Sequence, residues 1–148
     1  MTQQPPRPRF TIQDYMATPE DKRYQLLDGE LILAPAPTTR HQRIILELSV
    51  FLNEFIRERN LGMLFFAPTD VVLSDHDVVQ PDIFFISSER ANILTEANVQ
   101  GAPDLVVEIL SPSHSPARPG IQADPVQPPR RARILVGGPG VGCGRVME

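Results

Sequence analysis

The stretch VVQPDIFFISSERANILTEANVQGAPDLVVEILSP, Val78–Pro112, contains two short apolar runs that decide the fold. The runs are DIFFI at Asp82–Ile86 and LVVEIL at Leu105–Leu110, and each is rich in β-branched or aromatic residues. Pro, Gly or Ser residues bound both runs, which is typical of short strands. Because the runs are almost continuously apolar, they are predicted to be strands that are covered on both faces.

Each predicted strand also carries a carboxylate, Asp82 at the start of the first and Glu108 inside the second. An ionised carboxylate in an apolar strand is costly unless it is paired or binds a metal. Since neighbouring strands lie about 4.8 Å apart, the two side chains could converge on one cation. Oxygen ligands suit Mg²⁺ or Mn²⁺, and such a metal activates water and neutralises charge on a phosphodiester. The pair therefore indicates metal-dependent chemistry, with a buried Asp that merely caps a turn as the alternative.

Other acidic positions compete with this pair. Asp104 lies four residues before Glu108, roughly 13 Å away along an extended strand, so one metal cannot readily use both. Its place at the entry of the strand favours a structural role. The consecutive residues Asp75, His76 and Asp77 could suggest a metal site. Consecutive exposed polar residues usually form only a turn, so a turn is expected there.

Composition narrows the class of protein. A chain of 148 residues is expected to form one domain. Its net charge of −4 gives no global basic field that would attract nucleic acid, although a local basic groove is compatible with it. The single Cys143 cannot form an internal disulfide, which fits a reducing cytoplasm. No apolar run approaches the roughly 18 residues of a membrane span, so no membrane partner is expected.

Upstream of the opening stretch, turn signals predict a hairpin and a broken strand. The turn Asp28-Gly29 joins the predicted strands Tyr24–Leu27 and Glu30–Leu33. Two further strands, Met63–Ala67 and Asp70–Leu73, are expected on either side of a proline.

A long helix is predicted between these strands, over Arg40–Asn60, because apolar residues repeat there at helical spacing. Thr39 is its expected N-cap, and Gly62 is expected to end it in the left-handed conformation. His41 lies in the first turn of this helix. A surface or capping role is more common there than a site role, so His41 is a secondary candidate.

Both ends of the chain differ from the middle. Residues 1–9 are polar and Pro-rich and are predicted to form a disordered arm. Seven of the 16 prolines and six of the nine glycines lie between Pro112 and Glu148, without helical or strand periodicity over Ser113–Arg133. Residues 10–112 are therefore predicted to form the domain, and residues 113–148 a Pro/Gly/Arg-rich tail that is not a native part of it.

Four segments occur in an order that resembles the Uma-two family of restriction-endonuclease-like proteins, in the PD-(D/E)XK nuclease-like superfamily. They are YQLLDGEL at Tyr24–Leu31, PAPTTRHQR at Pro35–Arg43, VVQPDIFFIS at Val78–Ser87 and GAPDLVVEILSPS at Gly101–Ser113. The resemblance covers about residues 10–113. It implies an α/β fold with a restriction-endonuclease-like mixed β-sheet flanked by helices, here incomplete at its C-terminal end.

The resemblance also implies roles for individual residues. Asp82 would be the acidic residue of the PD element and Glu108 that of the next strand, both catalytic and both ligands of Mg²⁺ or Mn²⁺. His41 matches a histidine common in the family. Gln25 stands where the family commonly has Glu, which removes a charge near the site and counts against full activity. DNA is the expected partner, and a homodimer is compatible with the family pattern.

The superfamily further requires a lysine that steadies the attacking hydroxide and the developing phosphate charge. Leu110 stands at the nominal position of this lysine. In the Uma-two pattern an Asp and a Lys instead lie on a later helix, and this chain lacks that segment. The only lysine is Lys22, far upstream. Codons for Ile134–Pro139 can be chosen so that the same bases, read from one base later, encode YWWVDP. Codons for residues 119–133 can likewise be chosen so that the shifted frame encodes the rest of the family segment, including a lysine. We therefore hypothesise a frameshift near the codons for Ser115–Arg118.

Three function classes follow from these observations. The first is a metal-dependent, cytoplasmic DNA endonuclease of the Uma-two type that is impaired in this chain. The second is a non-catalytic nuclease relative that binds nucleic acid or a protein partner, which Gln25 and the missing lysine favour. The third is a structural domain with two incidental carboxylates.

Overall fold

The computed structural model describes residues 9–110, 132–135 and 146–147. The helices are α1 (Ile12–Met16), α2 (Thr39–Glu58) and a 3₁₀ helix at Ser88–Ile93. The strands are β1 (Tyr24–Leu27), β2 (Glu30–Leu33), β3 (Gly62–Phe66), β4 (Val71–Ser74), β5 (Asp77–Val79), β6 (Ile83–Ser87), β7 (Val99–Gln100), β8 (Leu105–Ile109), β9 (Ala132–Leu135) and β10 (Val146–Met147).

These strands form two five-stranded sheets with helices packed against them. The order in the first sheet is β2-β1-β5-β4-β7, and the order in the second is β10-β9-β8-β6-β3. Neighbouring strands are antiparallel except β4 and β7, which run parallel. The mixed α/β class that the sequence predicts is therefore confirmed, while the division of the strands between two sheets was not predicted.

Strand β6 lies at the centre of the core, with both faces covered as its apolar run predicts. Ile83 on one face packs with Val107 of β8 and Ile45 of α2. Phe84 and Ile86 on the other face are fully buried in a cluster that includes residues of β4 and β7. The second sheet thus has α2 on one side and part of the first sheet on the other.

The predicted hairpin is confirmed residue for residue, since β1 and β2 pair antiparallel from Tyr24 opposite Leu33 to Leu27 opposite Glu30. The predicted end of the long helix is wrong. The left-handed residue after α2 is Asn60, with φ of 52°, and Gly62 instead opens β3. A Cβ atom at Gly62 would lie 2.1 Å from the carbonyl oxygen of Ile86, so this position needs glycine because two strands approach closely.

The predicted start of α2 is wrong by one residue. Thr38 is the N-cap, and its hydroxyl accepts a hydrogen bond of 3.2 Å from the backbone N–H of His41. The polar residues Asp75 and His76 form the turn between β4 and β5, as expected of that stretch. Strand β5 itself was not predicted.

Strands β9 and β10 lie within the segment that the sequence assigns to the tail. β9 pairs antiparallel with β8, and β10 pairs antiparallel with β9. The rest of residues 113–148, like residues 1–8 of the arm, lies outside the described residues, so the domain boundary stays a prediction. None of the helices described in the structure is long and apolar enough to cross a membrane.

Candidate active site

The register between β6 and β8 brings the two predicted acidic residues together. Ile83 lies opposite Val107 in this antiparallel pair. Asp82 immediately precedes β6, so extending the register by one residue places it opposite Glu108. Residues opposite one another in antiparallel strands have Cβ atoms about 4.5–5.5 Å apart. The two carboxylates are therefore close enough to share one cation.

The backbone and a helix hold the Asp82 carboxylate in place. Its Oδ2 accepts a hydrogen bond of 2.7 Å from the backbone N–H of Ile109 and lies 3.2 Å from Nε2 of His41. The backbone carbonyl of Asp82 accepts a further bond of 3.0 Å from the N–H of Ala67. Because Oδ2 already has two partners, Oδ1 is the oxygen that remains for an incoming ligand.

The Glu108 carboxyl group is electrostatically unfavourable when it is ionised. Burial, followed by the negative charge and hydrogen bonding of Asp82, raises the pKa of Glu108 to about 7 from an ordinary value of 4.5. Glu108 therefore loses its proton only at the cost of placing a second negative charge beside Asp82. A bound cation would supply the missing positive charge.

The side chain of His41, the secondary candidate, lies beside Asp82 and not on the surface. Only 12% of the side chain is exposed, and its Nε2 faces Asp82. Since Asp82 Oδ2 is an acceptor, we assign the ring proton to Nε2, which leaves Nδ1 as a buried acceptor without a partner among the described residues. The available signal was periodicity, because His41 lies four residues before the buried Ile45 on the inward face of α2.

Gln25 of β1 is bonded to the segment that precedes Asp82. Its side-chain Oε1 accepts a hydrogen bond of 3.2 Å from the backbone N–H of Gln80, two residues before Asp82. The structure therefore places Gln25 at the border of the site, where it holds the segment that leads into β6.

The competing acidic positions have structural partners. Asp104 accepts hydrogen bonds from the backbone N–H of Ser87, at 2.8 Å, and from Arg90, at 2.9 Å. These bonds outweigh its burial and lower the pKa of Asp104. Asp77 accepts hydrogen bonds from the hydroxyl of Ser74 and the backbone N–H of Asp28. Neither carboxylate lies at the site, in agreement with the preference for structural roles.

A polar network that the sequence did not reveal lies next to Gln25. Gln80 donates hydrogen bonds to Asp70 and to the hydroxyl of Tyr15, which itself donates to Asp70 at 2.7 Å. Arg23 donates to the side-chain oxygen of Gln80. Burial, together with the neighbouring Asp70 carboxylate, raises the pKa of Tyr15, so its hydroxyl stays a donor.

The donor set fits a hard divalent cation with an open coordination shell. In the part of the chain that the structure describes, no group of three or more His, Cys, Asp or Glu side chains is arranged to hold a metal. Mg²⁺, however, usually takes one or two carboxylates and completes its shell with water and substrate phosphate. Asp82 and Glu108 supply that number of carboxylates, and their uncompensated charge favours a cation.

Comparison with known proteins identifies a family and a similar solved structure. The model of the Uma2 family, described as "Putative restriction endonuclease", matches residues 12–120. A solved structure of a "putative nuclease belonging to DUF820" from Anabaena variabilis ATCC 29413 is similar, with a TM-score of 0.59 and 24% sequence identity. The likeness covers 72% of this chain and 62% of that chain, and at this identity it shows the fold alone. No curated protein matches.

Proposed function

The chain belongs to the Uma2 family, and on that premise we propose that its domain is a metal-dependent endonuclease that hydrolyses DNA phosphodiesters. The observation that carries the proposal is the juxtaposition of Asp82, immediately before β6, and Glu108 of the adjacent strand β8, both within the matched residues. DNA as the substrate is consistent with the restriction-endonuclease description of the family.

In this proposal, Oδ1 of Asp82 and the carboxylate of Glu108 hold Mg²⁺ or Mn²⁺. A metal bound there would lower the pKa of a water molecule and neutralise charge on the phosphodiester. The support is chemical, because two close and partly buried carboxylates repel each other once both are ionised, and a bound cation relieves that repulsion as a proton does at lower pH.

The surrounding residues prepare the carboxylates for this role. The N–H of Ile109 and the ring of His41 fix the orientation of Asp82, so the carboxylate needs little rearrangement when it binds a ligand. Glu108, with a pKa of about 7, must release its proton before it can act as a ligand. Metal affinity is therefore expected to rise as the pH rises through 7.

We further propose that catalysis is impaired in this chain. Gln25 is neutral where the family commonly has Glu, and its side-chain oxygen is already bonded to the backbone of Gln80. The only lysine of the chain, Lys22, is exposed. These two features favour the alternative function, a non-catalytic nuclease-like domain that binds nucleic acid or a protein partner.

Plasmid cleavage and metal binding together test the proposal. Slow nicking of supercoiled DNA is expected in Mg²⁺ or Mn²⁺, none in EDTA, and none with Asp82→Asn or Glu108→Gln. Asp104→Asn is the matched control, because that carboxylate is bonded to Arg90 away from the site. Binding of Mn²⁺ that depends on Asp82 and Glu108 without any nicking would support the non-catalytic alternative. Nicking that survives both substitutions would exclude this metal site.

A further inference from the structure

A cleft of about 450 Å³ opens between the start of β4 and the segment that leads into β7. This volume lies within the roughly 300–1,000 Å³ of typical small-ligand pockets. Phe65, Leu94 and Val99 supply apolar surface in the cleft, and Asp70 and Asn98 supply polar groups. The lining of the cleft is thus mixed, with more polar than apolar surface, which suits a ring whose edges carry polar atoms.

The cleft adjoins the candidate active site. Gln80 lines it and lies two residues before Asp82, which is roughly 7 Å along an extended chain. Pro68 also lines it and follows Ala67, whose N–H donates to the backbone carbonyl of Asp82. A molecule in the cleft would therefore lie one or two residue lengths from the acidic pair.

The charge of the cleft excludes a phosphate as its occupant. Two carboxylates, those of Asp70 and Glu96, line the cleft, and no Lys or Arg is among the described residues that line it. Since like charges repel more strongly near a surface of low dielectric constant than in water, an anion would be disfavoured there. A neutral group of the substrate is the compatible occupant.

Asp70 and Asn98 each keep one polar atom without a hydrogen bond among the described residues, and the exposed Glu96 carboxylate supplies further acceptors. Oδ1 of Asp70 accepts from Tyr15 and Gln80, whereas Oδ2 makes no hydrogen bond within the described part of the chain. Oδ1 of Asn98 accepts from the hydroxyl of Thr95 and from the side chain of Gln100, while its Nδ2 donates to none of the residues that the structure describes. A nucleobase edge that carries both an N–H and an acceptor atom complements this pair of groups.

We propose that this cleft binds an unpaired nucleobase of the DNA next to the phosphodiester that is cleaved. Asp70 accepts from an amino or imino N–H of the base, Asn98 donates to a ring nitrogen or carbonyl, and the apolar side chains among the lining residues contact the ring. The proposal rests on the proposed function and deepens it, because it assigns the place where the identity of a base is read. Extruding a base from a duplex costs a few kcal/mol, so single-stranded or mismatched DNA is the preferred substrate.

Titration of the ¹⁵N-labelled full chain with the four deoxynucleosides, followed by NMR, tests this binding directly. Saturable shifts are expected for the Asn98 side-chain amide and for the backbone amides of residues 95–99, with one base preferred. Deoxyribose 5-phosphate, which lacks a base, is expected to cause none. Absence of nucleoside shifts, or equal shifts with deoxyribose 5-phosphate, would overturn the proposal.

Two variants and a matched control complete the experiment. Ala97→Phe fills the cleft from an exposed position, and Asn98→Asp replaces the donor with an acceptor, so each should weaken nucleoside binding at least about tenfold, the effect of losing one or two hydrogen bonds. Ala102→Phe adds the same ring at an exposed position outside the cleft and should leave binding unchanged. Unchanged binding in both cleft variants would overturn the proposal.

The same samples distinguish failure of the cleft from failure of the proposed function. Nucleoside binding without DNA cleavage by any version would support the cleft and count against the endonuclease. Metal-dependent cleavage without nucleoside binding would support the endonuclease and overturn the cleft.

Discussion

Replacing Glu108 with Gln should stabilise the protein at alkaline pH in the absence of metal. The folded pKa of Glu108, about 7, lies above the ordinary value of 4.5. Between these two pH values the folded state holds a proton that the unfolded state has released. The free energy of unfolding therefore falls as the pH rises from 4.5 to 7, and the full loss persists above pH 7. A Gln at this position does not ionise and avoids that loss.

The size of the effect follows from the two pKa values. Each unit of difference corresponds to about 1.4 kcal/mol, so the gap between 4.5 and about 7 amounts to roughly 3 kcal/mol. The free energy of unfolding of Glu108→Gln should exceed that of the wild type by up to this amount at pH 8. At pH 4, where Glu108 is protonated in both states, the two proteins should be equally stable.

Urea denaturation in EDTA at pH 4, 5.5, 7 and 8.5 measures this difference, because effects of pH on groups that do not interact with Glu108 are common to both proteins. Addition of Mg²⁺ at pH 8 should then stabilise the wild type, by about 2.7 kcal/mol at a hundred times the dissociation constant, and leave Glu108→Gln nearly unchanged. A stability difference that is the same at pH 4 and pH 8.5 would refute the reasoning.

Asp104 supplies a control of opposite sign on the same strand pair. The hydrogen bonds from Ser87 and Arg90 lower its folded pKa, so its stabilising contribution is present above the ordinary pKa of 3.8 and is lost as the pH falls through the lowered value. Asp104→Asn should therefore destabilise the protein at pH 7, by about 1–3 kcal/mol for a hydrogen-bonded charge, and the difference should fade below pH 4.

Two further predictions concern the close approach of β3 to β6 and the missing family helix. Gly62→Ala should lower the free energy of unfolding in urea by more than Gly101→Ala. Both positions have positive φ, but only at Gly62 would the added Cβ atom lie 2.1 Å from a carbonyl oxygen. Equal losses would mean that β3 and β6 move apart freely. A version that carries the hypothesised alternative reading frame from about the codons for Ser115–Arg118 onward should nick plasmid DNA about 100-fold faster or more than the present chain, which is the effect of one electrostatic group at a reacting phosphate. Equal rates would show that the lysine of that frame is not required.

The parts of the fold that the sequence predicted are those with strong local signals. The β1–β2 hairpin follows from the Asp28-Gly29 turn, and α2 follows from the spacing of its apolar residues. Strands β5 and β7 contain only three and two residues, too few to show a period. Their pairing, and with it the division into two sheets, depends on contacts between distant segments that no local pattern reveals.

The candidate site was predictable to the extent that its residues conflict with their surroundings. Asp82 and Glu108 stand out because a carboxylate in an apolar strand is anomalous. His41 does not, since a polar residue in the first turn of a helix is ordinary. The bonds of Tyr15 to Asp70 and Gln80 join residues that are 55 and 65 positions apart, and only the tertiary structure brings them together.

The same apolar residues that build the core also fix the geometry of the acidic pair. Ile83 and Val107 pack towards α2, while Phe84 and Val106 pack towards the first sheet. A slip of one residue between β6 and β8 would turn every side chain of one strand to the opposite face, so burial on both faces holds the register firmly. Asp82 and Glu108 lie opposite one another only in that register. The apolar packing of these strands therefore offsets the cost of burying Glu108 beside the negative charge of Asp82, a cost that raises the pKa of Glu108 to about 7 and that a cation, under the proposed function, would reduce.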